Sequence, residues 1–258
     1  MVNYKLSIVQ KISLAGIFIV LVALFQKIFA VNYIAIIPFV RISFGGPALI
    51  IFSSILLGPW FGLMVGAFSD IIGFYIFDPK MFGAVPFFQI TAIYALLGFS
   101  AYWVFKLVNL IKSKKLMMII EGSTFIGILL FITLFICLTE SITLYGTVHN
   151  FTTLHRILVP IFTFILLVVL FIITYFIDKH FKKKEFNVST YHVSFAAFIL
   201  EVTVMLIFGS IMKTWAFGST MFIAIFFSQL IVTFFNVPLN TFLISYIMYL
   251  FRNIVRHE

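Results

Sequence analysis

The sequence predicts an all-α polytopic membrane bundle of about eight spans, with both chain ends on the cytoplasmic side. Three observations predict it. Of the 258 residues, 63% are hydrophobic and only 10% are charged, too little polar surface to keep a fold of this length dissolved. The apolar residues, 36 phenylalanines among them, gather in runs of roughly 20, the length that crosses a hydrocarbon core as a helix. The basic residues lie in short clusters between those runs.

The runs, in order, are Ile12–Val31, Phe44–Leu57, Trp60–Phe77, Ala84–Phe105, Leu116–Leu138, Ile157–Ile177, Val193–Met212 and Thr220–Phe251. The first reads as a retained span, because no small-residue cleavage site follows it. The second is short and follows the apolar stretch Tyr33–Val40, which suggests a bent or re-entrant approach. The last is long enough to tilt, or to break near Pro238. Segments assigned to the cytoplasm carry Lys5, Lys11, Lys106, Lys112, Lys114, Lys115, Lys179, Lys182, Lys183, Lys184, Arg252 and Arg256, which is 12 of the 17 basic residues. The outer segments carry Lys27, Arg41, Lys80, Arg156 and Lys213, the other 5. That bias places both ends inside, and an even number of spans agrees in returning the chain to the side on which it starts. The expected location is the plasma membrane.

The formal charge of +9 is therefore a topology signal, and no nucleic-acid partner is expected. Cys137, the single cysteine, has no ligand pattern around it and reads as a small buried hydrophobe. No cofactor or metal is expected. The five histidines, His149, His155, His180, His192 and His257, lie at span ends or in loops. Neither a His-Glu-x-x-His motif nor a Gly-x-Ser-x-Gly site is present, and Glu121, Glu140 and Glu201 form no recognisable carboxylate motif. No enzyme activity is expected. The outer segments Gln26–Phe44, Asp78–Gln89 and Glu140–Arg156 mix aromatics with Arg, Gln, Asn and His. That mixture suits an outward pocket, and it equally suits an interfacial aromatic belt with solvated neighbours.

Residues 58–73 carry the most information. Gly58, Gly62, Gly66 and Asp70 recur every four residues and so share one helix face. Glycines on such a face admit another backbone, and Gly58-Pro59 supplies a turn and a helix start. A close hairpin of the second and third spans is expected. Asp70 falls near mid-bilayer, where an unpaired charge costs at least ~3 kcal/mol. It reads either as a ligand-binding group or as a carboxylate that pins packed helices. A loose internal repeat links Leu144-Tyr145-Gly146, Arg156 and Pro160 to Trp215–Gly218, Gln229 and Pro238.

The run Arg41-Ile42-Ser43-Phe44, Leu57-Gly58-Pro59-Trp60-Phe61-Gly62, Val65-Gly66 and Ser69-Asp70-Ile71-Ile72-Gly73 resembles the substrate-binding (S) components of energy-coupling factor vitamin transporters, the folate-type members most of all. Pro86–Ala92 with Gly98 looks like that family's fourth span, and Leu144–Pro160 like its fifth-to-sixth connection. The likeness covers roughly residues 10–180. Such components usually have six spans. Hence either residues 190–253 are an additional or duplicated hairpin on a core formed by residues 1–180, or residues 116–180 are an insertion.

The resemblance implies a membrane subunit that binds a water-soluble vitamin, here folate or a reduced folate. It would dock on a transmembrane coupling protein with two ATPase subunits, and topple to release its load. No ATP-binding loop occurs in the chain, so hydrolysis would belong to those partners. Candidate stacking residues are Phe44, Phe74, Tyr75, Phe87, Phe88 and Tyr94. Gln89 and Thr91 suit ring edges, and Asp70 joins them as a candidate ligand group. Arg41 and Arg156 suit a carboxylate, or serve as headgroup anchors. Ala15, Ile19 and Ala23 on the first helix are the implied docking face, with packing inside the chain as the alternative. Other S-component ligands (riboflavin, thiamine, pantothenate, a queuosine precursor) and a non-transport assembly protein are the rival readings.

Overall fold

The computed structural model describes residues 6–31, 42–43, 45–77, 87–144, 147–182 and 189–255. Arg41 and Phe44 lie outside the described residues, as do Tyr145 and Gly146 and most of the outer segments 32–41 and 78–86.

Among the described residues there are eight helices: α1 Ile8–Lys27, α2 Gly46–Leu57, α3 Pro59–Phe77, α4 Phe88–Val108, α5 Lys114–Leu138, α6 Thr153–Lys182, α7 Thr190–Phe217 and α8 Phe222–Val255. Seven of them are long and apolar enough to cross a membrane, and α2, with 12 residues, is the short one. The protein is an all-α, multi-pass helical bundle. Two small antiparallel ribbons complete the described elements. β1 (Ala30–Val31) pairs with β2 (Ile42–Ser43) between α1 and α2, and β3 (Ser141–Leu144) pairs with β4 (Thr147–Asn150) between α5 and α6.

Local chemistry sets several helix ends. Ser7 and Gln10 form a reciprocal capping box at α1, with Gln10 N donating to Ser7 Oγ over 3.2 Å and Ser7 N to Gln10 Oε1 over 2.9 Å. Ser113 caps α5 by accepting from Leu116 N. Gly58 alone separates α2 from α3, at φ 104° and ψ 169°, a region only glycine occupies without strain. Gly58→Ala should therefore destabilise the protein by ~1–3 kcal/mol although nothing lies near its β-carbon position. Thermal unfolding in detergent measures this.

The loops alternate between two ends. At one end, which carries both ribbons and is called here the hairpin end, the rings of Phe87 and Phe88 meet Phe217 and Trp215, and Phe135 stacks on Phe227. At the opposite, lysine-rich end, Lys114 pairs with Asp178 at 3.5 Å, Ser189 Oγ donates to Asp178 over 3.0 Å, and His192 Nε2 lies 3.0 Å from the Ile111 carbonyl. These bonds tie the start of α5, the end of α6 and the start of α7 together.

The hairpin α7–α8, expected as an addition to a core of residues 1–180, lies at the centre. Within the 18-residue apolar stretch of each span, 61% and 67% of residues are buried, against 22–33% for the other long helices. The α5–α6 pair has the more exposed faces, and it packs on α7 and α8. Lipid-facing helices need only one protein-facing stripe, whereas α7 and α8 pack on several neighbours and keep a narrower exposed face that includes Ile211, Ile223 and Phe242. Cys137 also departs from expectation: it is exposed near the end of α5. Helix α8 continues through Pro238 as one element, and α7 widens into a π-helical stretch over Glu201–Phe208.

The glycine face of α3 packs on α2, as expected, and also on α4. The largest interface is α3 on α4. A β-carbon on Gly66 would run into the backbone carbonyl of Tyr94, and one on Gly98 into that of Gly62. Ser54 of α2 meets Gly62 from the other side, and its hydroxyl accepts from Tyr102 N over 3.1 Å. The face of Gly62 and Gly66 is thus shared by α2 and α4, while Gly58 serves only as the turn.

Candidate binding site

The interleaved α3–α4 pair places polar groups at the hairpin end. Asp70 stands one turn beyond Gly66, and Thr91 one turn before Tyr94. The backbone contact between Gly66 and Tyr94 brings the two together, and Thr91 Oγ1 donates to Asp70 Oδ2 over 2.7 Å. Asp70 is 8% exposed and Gln89 9%. On α1, Gln26 is buried and the Lys27 chain runs along Gly73, one turn beyond Asp70. A carboxylate buried in a membrane bundle needs such donors, because desolvation is otherwise uncompensated.

Helix α2 gives this end its shape. Its 12 residues rise ~18 Å, well short of a ~30 Å hydrocarbon core. Leu243 and the ring of Phe25 approach Gly45, and the rings of Phe18 and Phe251 meet Phe52. Thus α2 lies beside the C-terminal part of α8, and its N-terminus points toward the hairpin end from inside the bundle. Gly45, Gly46 and Pro47 are buried there.

The predicted residues divide accordingly. Asp70, Gln89 and Thr91 stand on the facing helices α3 and α4, with Tyr94 partly buried on the same stretch. Phe74 and Tyr75 pack against each other edge to face, and Tyr75 is 55% exposed. Phe87 and Phe88 are exposed and engage the end of α7 rather than the polar cluster. Arg156 is partly buried on α6, which packs on α5, α7 and α8 rather than on α3 or α4. The face proposed for docking turns inward. Ala15 and Ala23 are buried, Ala23 lies beside Gly73 of α3, and Ile19 packs against the core. Small residues here let α1 approach α3. The outer face of α1 presents Ile12, Gly16, Ile17 and Val20 instead.

Sequence reasoning passed over the polar groups of α7 and α8. Glu201, 2% exposed, accepts from Asn236 Nδ2 over 2.6 Å. Asn240, 1% exposed, follows one turn later, and its Nδ2 has no hydrogen-bond partner among the described residues. Glu121 of α5 accepts from Ser194 of α7 over 2.8 Å. A signal was present: Asn236 and Asn240 flank Pro238 at a spacing of four within an apolar run, and polar side chains at that depth require partners.

Compared with known proteins, the chain matches no family model, no curated protein and no solved structure.

Proposed function

We propose that this chain is the membrane-embedded binding subunit of an energy-coupling-factor importer for folate or a reduced folate. The observation that carries the reading is the short, internally terminating α2 beside a buried Asp70–Thr91 pair. A half-length helix leaves one end of the bundle to side chains from α1, α3, α4 and α8. There a flat, hydrogen-bonding solute meets Gln26, Asp70, Gln89 and Thr91 under an aromatic rim. Helix α2, the four helices packed on it (α1, α3, α4 and α8) and α7, which packs on α4 and α8, form the S-component-like core in this reading. The peripheral α5–α6 pair is the additional hairpin. Docking on a coupling protein and its two ATPases then falls to exposed faces such as that of α1.

Mass spectrometry of the small molecule retained by the purified protein, followed by calorimetry with a vitamin panel, tests the proposal. Folate or a reduced folate should be retained and bind tightly, and a coupling protein with two ATPases should co-purify from native membranes. Tight binding of another vitamin would replace the ligand, and binding of none would end the reading.

The orientation belongs to the same proposal, with the lysine-rich end cytoplasmic. Cys137 is the chain's own reporter, since it is exposed one residue before the end of α5 at the hairpin end. A membrane-impermeant maleimide should label it in intact cells, and Cys137→Ser should abolish the label. Labelling only after permeabilisation would invert the topology.

A further inference from the structure

We propose that the N-terminus of α2, together with Asn240 of α8, forms a carboxylate-binding site inside the bundle. The idea rests on the binding-subunit reading and names the part of the solute that reaches deepest.

Helix α2 begins at a buried glycine. Gly45 occupies the N-cap position with φ 79°, so no side chain at that position can accept from the first-turn amides. The positive end of the helix dipole therefore lies inside the protein, where water screens it least. Broken helices in membrane transporters use such ends for anionic groups.

A second observation points to a ligand there. Leu243 of α8 touches Gly45, and Phe251, two turns later, touches Phe52 of α2. The two helices therefore run parallel. Asn240 precedes Leu243 by three residues, which puts it on the same face and just beyond the start of α2. Its side chain is 1% exposed, and its amide nitrogen lacks a partner among the described residues. A buried donor without an acceptor is costly, and a carboxylate satisfies it together with the Gly46 and Ala48 amides of α2, Pro47 between them having no N–H. On α1, Phe25 touches Gly45 from the other side, and Gln26 and Lys27 follow it toward the hairpin end. Lys27 adds positive charge to the surroundings. The acidic groups on the adjoining helices, Asp70 and Glu201, each receive a hydrogen bond, from Thr91 and Asn236.

Two measurements test this, one independent of the vitamin. Sodium benzoate should raise the melting temperature of the purified protein, and benzamide at the same concentration should not. Asn240→Leu should erase the benzoate effect, and Asn240→Asp, isosteric but anionic when ionised, should do the same if the leucine variant fails to fold. Folate should also bind at least about tenfold more tightly than its bis-carboxamide, a preference that Asn240→Leu removes. A benzoate effect without folate binding would keep the anion site and discard folate as the ligand. Equal responses to benzoate and benzamide, or a benzoate effect unchanged in both variants, would overturn the proposal.

Discussion

Gly66→Leu is expected to prevent recovery of folded protein from detergent-solubilised membranes. The obstacle is steric. Even a β-carbon at residue 66 falls on the carbonyl of Tyr94, a backbone group that no rotamer change can move. Relief requires α4 to shift away from α3 along the largest helix interface in the bundle. Overpacking a well-ordered core costs ~1–3 kcal/mol and more when backbone must yield. Here the shift would also break the Thr91–Asp70 bond one turn away. Gly98→Ala should be damaging in its own right, because that β-carbon meets the carbonyl of Gly62. Gly16→Ala and Gly127→Ala supply the contrast, since both positions open onto free space. Size-exclusion profiles and melting temperatures should separate the two groups cleanly. A monodisperse Gly66→Leu protein with an unchanged melting temperature would mean that α3 and α4 do not approach as described.

The contrast among these glycines shows what sequence can and cannot disclose. Spacing of four announced a shared face for Gly62 and Gly66, and the structure has that face packed. It did not announce α4 as a second partner. Sequence adjacency favoured α2, joined by the single residue Gly58, but Gly98 supplies the matching gap on α4, and a lone glycine in an apolar run has no periodicity to reveal it. Span boundaries were legible to within a few residues because hydropathy is local: Trp60–Phe77 became Pro59–Phe77, and Leu116–Leu138 became Lys114–Leu138. In α1 both ends move by four residues in the same direction, the expected Ile12–Val31 being realised as Ile8–Lys27, with the Ser7 cap fixing the start and Ala30–Val31 taken into a ribbon.

Which helices lie at the centre was not legible. Apolar residues face both protein and lipid in a membrane protein, so composition does not separate a surrounded helix from a peripheral one. The polar residues do separate them. Ser194, Glu201, Ser210, Ser228, Thr233, Asn236, Asn240, Thr241 and Ser245 are all buried on α7 and α8, while the apolar side chains of α5 and α6 point largely outward. A span that carries several amides and hydroxyls has to be enclosed. Three carboxyl groups follow the same logic, each bonded to the hydroxyl or amide of a different helix: Asp70 to Thr91, Glu121 to Ser194, Glu201 to Asn236. Those pairs fix which helices face one another, a role for which nonpolar packing alone is less selective.

Asp70 is where the pinning and binding roles can be parted by experiment. The hydrogen bond from Thr91 needs only an acceptor oxygen, which Asn supplies as well as Asp. Asp70→Asn should therefore keep α3 and α4 together and leave the melting temperature near that of the parent. Thr91→Val, which removes one donor from a buried carboxylate, should lower stability by ~1–3 kcal/mol. Ligand affinity should order the variants differently. A carboxylate offers about four acceptor sites, and the edge of a pterin presents adjacent N–H donors that suit a charged acceptor. Loss of that charge-assisted contact corresponds to ~1.5–3 kcal/mol, so folate should bind Asp70→Asn at least about tenfold more weakly. Calorimetry on the folded variant reads this directly. Unchanged affinity in Asp70→Asn, alongside the stability loss in Thr91→Val, would assign Asp70 wholly to holding the helix pair, and the ring edge would then have to be read by Gln89 or by Gln26 of α1.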